Sequence, residues 1–133
     1  NMLISSGLAY EKFEKMVQAH GGSLKKFNER EYHSPKFRYV IKSDFEGYIE
    51  SFETRKIGEL LSMIGGGRLN NPDGIDNYSG LKVYKKISDN ILKGEPVLEF
   101  YCSSEKKINN LVEYCGNLFS VSKEGCQKPS LIY

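Results

Sequence analysis

The stretch SDFEGYIESFETRKIGELLSMIGGGRLNNPDGID, residues 43–76, predicts a strand, a helix and a glycine-rich loop in that order. Residues 48–52 alternate between apolar and polar side chains, which is typical of a half-buried strand. Thr54 then offers a side-chain oxygen that caps a helix. The apolar residues after it recur at helical spacing: Ile57, Leu60, Leu61 and Ile64. The run Gly65–Gly67 ends the helix, because glycine adopts left-handed backbone angles without steric cost.

The glycine-rich loop has two interpretations. Backbone N–H groups in such a loop cradle phosphate, and Arg68 directly after the glycines would add positive charge. In phosphate loops, however, the glycines follow a strand and open a helix, whereas here they follow a helix, whose C-terminus presents carbonyl groups. The order of the elements therefore favours a structural helix stop. Arg68 would then contact those carbonyls or pair with Asp73 or Asp76.

The composition is that of a globular protein of single-domain size. The chain has 133 residues, of which 39% are hydrophobic and 27% charged. Its 19 Lys and Arg against 17 Asp and Glu leave a net charge of +2, which gives no electrostatic reason to expect a nucleic acid or a membrane as partner. The sequence has neither a membrane-spanning run nor a signal-peptide pattern, so we expect a cytoplasmic location. Because Asn1 leads almost at once into a helical pattern, we expect a piece of a longer protein.

The rest of the chain completes an α+β pattern. Residues 7–19 form an amphipathic helix closed by Gly21 and Gly22, and residues 37–42 and several short segments within residues 81–102 read as strands. A last helix, capped by Ser103 or Ser104, carries a long apolar stripe: Ile108, Leu111, Val112, Cys115, Leu118 and Phe119. The apolar tail at residues 131–133 could add an edge strand. We therefore expect a small curled mixed sheet with a preceding helix, an internal helix and a C-terminal helix packed on it.

Residues with reactive side chains do not form a recognisable catalytic or metal-binding pattern. The cysteines are odd in number and far apart, which predicts reduced thiols rather than disulfides or a zinc site: Cys102, Cys115 and Cys126. His20 precedes a glycine pair, where it favours a helix C-terminus, and His33 has no partner at ligand spacing. Any two of three nearby carboxylates could do acid–base chemistry if a cleft held them close together. We expect instead that all three are exposed to solvent: Glu46, Glu50 and Glu53. The paired lysines at 25–26, 85–86 and 106–107 read as exposed faces.

Seven short segments, in order along the chain, carry a resemblance to a known family. They are residues 9–17 with Gly21-Gly22, Glu46-Gly47-Tyr48-Ile49, residues 54–58, Gly65-Gly66-Gly67-Arg68, Gly74-Ile75-Asp76, Ser79-Gly80-Leu81 and Gly94-Glu95-Pro96-Val97. With them the chain resembles the C-terminal domain of the pyrimidine-nucleoside phosphorylases over nearly its whole length. Within that family, the sequence Gly-Gly-Gly-Arg is more typical of the thymidine phosphorylases. One departure is Ser88-Asp89, where the family usually has Gly-Asp, so that turn could take a different type.

The resemblance implies a fold and a reaction. The fold is an α/β hammerhead at residues 31–133, after a helical lead-in at residues 1–30 from an upstream phosphorylase body. The reaction is reversible attack of inorganic phosphate on C1′ of a pyrimidine 2′-deoxynucleoside, without a further cofactor, in a parent enzyme that is a homodimer. The family's catalytic and substrate-binding residues lie upstream, so the resemblance implies that this chain contains no catalytic, substrate-binding or metal residue and is inactive alone.

Two alternatives stay open. Residues 86–98 are similar to the turn-strand-turn of biotinyl and lipoyl carrier domains, which would make the chain a stand-alone binding or carrier module. Against this, the modifiable lysine with its usual flanking residues is missing. The chain could also be a natural split subunit that joins a separately encoded phosphorylase body. The preference for thymidine or uridine does not follow from the sequence.

Overall fold

The computed structural model describes residues 2–24, 35–68, 74–128 and 130. The chain divides into two compact units, residues 1–34 and 35–133. The first unit contains helix α1 (Met2–Ser5) and helix α2 (Leu8–Ala19). The predicted amphipathic helix is confirmed: it ends at Ala19, His20 takes the cap position, and Gly21 follows at a φ of 77°. The predicted domain boundary after residue 30 lies outside the described residues.

The second unit is built from six strands and two helices among its described residues. In chain order they are β1 (Phe37–Lys42), β2 (Gly47–Phe52), α3 (Thr54–Leu61), β3 (Gly80–Val83), β4 (Asn90–Ile91), β5 (Pro96–Cys102), α4 (Glu105–Tyr114) and β6 (Phe119–Ser122). Helix α3 runs on into a wider π-type turn, Ser62–Gly66. The predicted α+β class is confirmed, as are the predicted strands over residues 37–42 and 48–52.

The strands form two antiparallel three-stranded sheets, in the orders β1-β5-β3 and β4-β2-β6. Both Tyr39 and Leu81 lie opposite Phe100, so β5 is the central strand of the first sheet. The chain leaves this sheet after β1, where the Ser43 hydroxyl donates to the Phe45 carbonyl at 2.6 Å and accepts from the Phe45 N–H at 3.3 Å. This local turn directs β2 into the second sheet.

The hydrophobic core lies between the sheets and the two helices. Helix α3 buries Ile57 and Leu60, helix α4 buries Ile108 and Leu111, and Phe100 of the central strand is fully buried. Helix α4 packs on β1, β5 and the π-type turn. The prediction that the last helix packs on the sheet is therefore confirmed.

Two details of the predicted helices are wrong. Thr54 is the first residue of α3 rather than its cap, because Glu53 holds the cap position: its carbonyl accepts from the Ile57 N–H, and its N–H donates to the Leu118 carbonyl, both at 2.9 Å. The last helix ends at Tyr114, since Gly116 turns the chain at a φ of 46°. Leu118 is buried beyond the helix end, and Phe119 opens β6.

A C-terminal strand, β6, forms where the sequence predicts the end of the last helix, and the predicted edge strand at residues 131–133 is not tested. Strand β6 pairs with β2, and the Ser51 and Ser120 hydroxyls are 2.7 Å apart across the pair. The sequence had suggested helix for Phe119 and an edge strand for residues 131–133, which lie outside the described residues. Ser104 does occupy the cap position of α4, where its carbonyl accepts from the Ile108 N–H at 3.2 Å.

Candidate functional site

The glycine-rich turn is a structural joint at the end of α3. Gly65 is buried and has a φ of 111°, a conformation that favours glycine. Its carbonyl accepts from the Asp76 N–H at 2.9 Å, and the preceding Ile64 carbonyl accepts from the Ser79 hydroxyl at 2.8 Å. The turn therefore directs acceptors toward the neighbouring loop, which is the wrong polarity for an anion. The prediction of a helix stop is confirmed.

Asp76 organises the loop on the other side of this joint. One carboxylate oxygen, Oδ2, accepts from the Ser103 hydroxyl at 2.7 Å and from the Ser103 N–H at 2.9 Å, and it lies 3.0 Å from the Ser79 hydroxyl, whose single proton is shared between Asp76 and the Ile64 carbonyl. The other, Oδ1, accepts from the Tyr78 N–H at 2.9 Å. Burial alone would raise the pKa of Asp76, but the hydrogen bonds from Ser103, Tyr78 and Ser79 lower that pKa below its ordinary value. Asp76 is thus an ionised acceptor that joins β3 to the start of α4.

Arg68 lies exposed beside the glycines. Within the described part of the chain, no ion pair includes it. The hydrogen-bond partners of Asp76 are neutral groups, so the predicted pairing of Arg68 with that carboxylate is not formed. Asp73, the other predicted partner, lies outside the described residues. The described contacts of this segment are those of a helix stop, in which the Ile64 and Gly65 carbonyls act as acceptors.

The predicted surface carboxylates are exposed, as the sequence suggested: Glu46, Glu50 and Glu53. A different carboxylate is buried. Glu99 on β5 is only 5% exposed, and its carboxylate is 3.2 Å from the Arg38 guanidinium and accepts a short hydrogen bond from the Tyr84 hydroxyl. The Lys82 ammonium lies 4.4 Å from the centre of the Tyr84 ring. The signal that could have identified this cluster is a lone charge inside the apolar run of β5.

Among the described lysines of the predicted pairs, Lys86 and Lys106 are exposed as predicted and Lys107 is half-buried, whereas His20 and Lys85 take structural roles. His20 Nδ1 is 2.8 Å from the Met16 carbonyl, which confirms its predicted place at the end of α2. Lys85 is wrongly predicted as exposed, because its side chain is 25% exposed and pairs with Glu95 at 3.0 Å while also donating to the Asn90 carbonyl. His33 and the lysines at 25–26 lie outside the described residues.

The three cysteines are free thiols, each with its own acceptor. Cys102 donates to the Ser104 carbonyl at 3.2 Å and Cys126 to the Ile49 carbonyl at 3.0 Å. Burial raises the pKa of the Cys102 thiol, and the nearby Asp76 carboxylate adds to that effect. A thiol of this kind is a poor nucleophile. Across residues 2–24, 35–68, 74–128 and 130, no three His, Cys, Asp or Glu side chains are grouped as metal ligands.

An open cleft lies beside Asp76, Ser103 and Lys107, with a volume of about 380 Å³. The Ser103 hydroxyl donates a hydrogen bond to Asp76 there, and a serine next to a carboxylate is also the arrangement of a nucleophile and its base. The lowered pKa makes Asp76 a weak proton acceptor, and both oxygens already accept bonds that hold the loop. The polar groups of this cleft therefore hold the loop in place and are not arranged for proton transfer.

These contacts define a small α+β domain whose described polar groups hold turns and strands together. A family model described as "Pyrimidine nucleoside phosphorylase C-terminal domain" matches residues 48–121, which is more than half of the chain. The chain belongs to this family, and the resemblance seen in the sequence is confirmed.

Two relatives show how the chain compares with longer proteins. It is 32% identical over 134 residues to a thymidine phosphorylase of Colwellia psychrerythraea strain 34H, covering 98% of this chain and 30% of the relative. It is 30% identical over 132 residues to a pyrimidine-nucleoside phosphorylase of Staphylococcus aureus strain USA300, again covering 98% of this chain and 30% of the relative. The chain thus spans about 30% of the length of these curated relatives. Every helix in the described part falls short of what a membrane crossing requires.

Proposed function

We propose that the chain is the C-terminal part of a thymidine phosphorylase. The observation that carries this proposal is the alignment of 98% of the chain with 30% of a thymidine phosphorylase. The parent reaction is reversible phosphorolysis of thymidine to thymine and 2-deoxyribose 1-phosphate, with inorganic phosphate as co-substrate. The upstream body binds nucleoside and phosphate, and the parent is a cytoplasmic homodimer that needs no other cofactor.

Within that enzyme the chain has a structural role and is inactive alone. Support comes from the two features that looked most reactive in the sequence. The glycine turn directs carbonyls toward Asp76, and Asp76 accepts hydrogen bonds that join β3 to α4. Groups with such structural partners are held in place, and none of them is free to move a proton or bind phosphate.

The inactivity is tested with the purified 133-residue chain. It is mixed with thymidine and phosphate, and release of thymine is followed by ultraviolet absorbance. We expect no release above the rate without protein. Appreciable turnover by the chain alone would overturn the structural role.

A chimera tests whether the chain can serve as the C-terminal part of a thymidine phosphorylase. In it, residues 1–133 of this chain replace the aligned segment of the Colwellia psychrerythraea enzyme. We expect the chimera to release thymine from thymidine in a phosphate-dependent reaction. A folded chimera without phosphorolysis would contradict the assignment.

A carrier module is the second candidate, because a lysine is exposed in a turn of the segment that is similar to carrier domains. Lys93 is exposed in the tight turn between β4 and β5, where Gly94 has a φ of 85°. A carrier domain presents its modifiable lysine at a hairpin tip with characteristic flanking residues, whereas β4 and β5 here belong to different sheets and those flanking residues are missing. The intact mass of the chain, expressed in cells that modify carrier domains, separates the two candidates: an added cofactor mass supports the carrier, and an unmodified mass removes it.

A further inference from the structure

Strand β5 lacks the alternation of buried and exposed residues that usually fixes its register, that is, which residues of neighbouring strands lie opposite each other. Four consecutive residues, Val97–Phe100, are buried. In a strand with one buried face, a slip of one residue would turn every apolar side chain toward solvent, and this cost specifies the register. In β5 a slip would exchange one buried side chain for another, so the apolar residues alone specify the register weakly.

Glu99 is the exception in this buried run. It is the one charged residue of β5, whose sequence is PVLEFYC, and it lies opposite Val40 of β1 and Lys82 of β3. The next residue, Phe100, is fully buried in the hydrophobic core. Because side chains alternate along a strand, a slip of one residue would turn the Glu99 carboxylate toward that core. A carboxylate without a partner among apolar side chains costs much free energy, so this slip is disfavoured.

In the observed register, Glu99 has one polar partner on each side. The Arg38 guanidinium of β1 lies 3.2 Å from its carboxylate, and the Tyr84 hydroxyl, directly after β3, donates to it. The Tyr84 N–H also donates to the Val97 carbonyl at 2.9 Å, which fixes Tyr84 along β5. A slip of two residues would keep Glu99 on the same side of the sheet. It would move one of the two partners by about 7 Å, however, and so break its contact with the carboxylate.

A second contact next to Glu99 favours the same register. Gly80 of β3 lies opposite Tyr101 of β5, and a Cβ built on Gly80 would be 2.5 Å from atoms of the Tyr101 ring. The ring therefore occupies the space that a side chain at position 80 would fill. A slip of β3 by two residues would bring a residue with a long side chain, such as Lys82, opposite this ring. The register of β3 is thus restricted by sterics at Gly80 and by polarity at Glu99.

We propose that Glu99 sets the register of the β1-β5-β3 sheet, with Arg38 and Tyr84 as its partners on the two sides. This inference is independent of the proposed function. Apolar residues of similar volume often replace a buried ion pair without loss of stability. The role of the Glu99 cluster is therefore to exclude shifted registers rather than to add stability, as single buried polar residues do in coiled coils.

A double variant that removes the ion pair tests this role. Arg38→Met and Glu99→Met are combined in the 133-residue chain, and the backbone amide signals of β1, β3 and β5 are recorded by NMR. We expect cooperative unfolding at a melting temperature within about 3 °C of wild type. We also expect a second set of strand signals from a shifted register, populated at about 1–10% and detected by saturation transfer. Wild type is expected to give one set of signals.

Two control variants complete the test. Glu99→Gln keeps a polar group that resists burial in the core, and Glu50→Met makes the methionine substitution at an exposed position of β2. We expect one set of signals from each control. A single set in the double variant, with nuclear Overhauser contacts of the observed register, would overturn the proposal, as would a second set in either control. A double variant that does not fold would also overturn it, because the cluster would then be required for stability.

Discussion

Two turns in the second unit each hold one residue at a positive φ, and the residue differs between them. Gly65 has a φ of 111° and Ser88 a φ of 73°. Both turns are tied to neighbours by main-chain hydrogen bonds, from the Asp76 N–H to Gly65 and from the Ser88 N–H to the Ile49 carbonyl at 2.7 Å. The surroundings differ: a Cβ built on Gly65 would lie 2.7 Å from the Asp76 Cβ, whereas Ser88 already carries one. Steric crowding, more than backbone angle, decides which turn requires glycine.

The largest effect is expected from Gly65→Ala, which breaks the crowded turn. The added methyl combines a strained backbone angle with a clash against the Asp76 Cβ, which sits close to the main chain and cannot rotate away. We expect the free energy of unfolding to fall by about 3 kcal/mol. Urea unfolding, followed by the fluorescence of the nine tyrosines, measures it.

Gly58→Ala is the matched control for that change. A Cβ built on Gly58 meets nothing within 4 Å, and the residue lies inside helix α3. Alanine is there expected to stabilise the protein by up to about 1 kcal/mol, because it is the better helix former. If both alanine variants changed stability in the same direction, the crowding at Gly65 would not be the cause.

The aspartates beside the two turns give the next comparison. The two carboxylate oxygens of Asp76 accept from four donors on Tyr78, Ser79 and Ser103. Asp76→Asn replaces one of these oxygens by an NH₂ group, so that this group faces a donor of one of those residues. We expect a loss of about 2 kcal/mol. Asp89 accepts one side-chain hydrogen bond, from the Lys86 N–H at 2.8 Å, and an amide oxygen can still accept it. Asp89→Asn is therefore expected to change stability by less than about 0.5 kcal/mol, and equal losses in thermal unfolding would contradict this.

The pH dependence of unfolding sharpens the role of Asp76. The pKa of Asp76 is lowered in the folded protein. Its contribution to the free energy of unfolding is therefore fully present above its pKa in the unfolded chain, near 4, and is lost as the pH falls through its pKa in the folded protein. We expect the stability difference between wild type and Asp76→Asn to narrow below about pH 4. The pKa of Glu95 is also lowered, but that residue is present in both proteins and cancels. A difference that stays constant into acid would rule out the ionised carboxylate as the cause.

The contrast between the two turns also shows what the sequence could predict. The helix stop at residues 65–67 followed from local chemistry, since three glycines after an apolar helix have few other roles. The α+β class followed from the periodicity of long segments. The partners of Asp76 could not be found in the same way, because Ser103 lies 27 residues away and is brought close only by the folded chain.

Other errors have the same origin in tertiary contacts. Glu53 replaces Thr54 at the cap of α3 because its N–H is paired with Leu118, a residue far away in sequence. Glu99 is buried because Arg38 and Tyr84 come from the neighbouring strand and the loop after β3. Local spacing indicates where helices and strands form, while contacts between elements decide which polar groups become buried.

The smallest effect is expected at the turn that lacks glycine. Ser88→Gly removes the cost of holding a side chain at a φ of 73°, but glycine also makes the unfolded chain more flexible. The two terms nearly cancel, and we expect a net gain of about 0.5 kcal/mol in the free energy of unfolding.

Ser88→Ala separates the backbone term from the hydroxyl, because alanine keeps the Cβ at the left-handed position. We expect it to lie within about 0.5 kcal/mol of wild type. A gain for glycine without a gain for alanine would show that the left-handed backbone of this turn costs free energy when the residue carries a Cβ. Equal gains for both variants, measured by urea unfolding, would instead assign the effect to the hydroxyl and remove the parallel with Gly65.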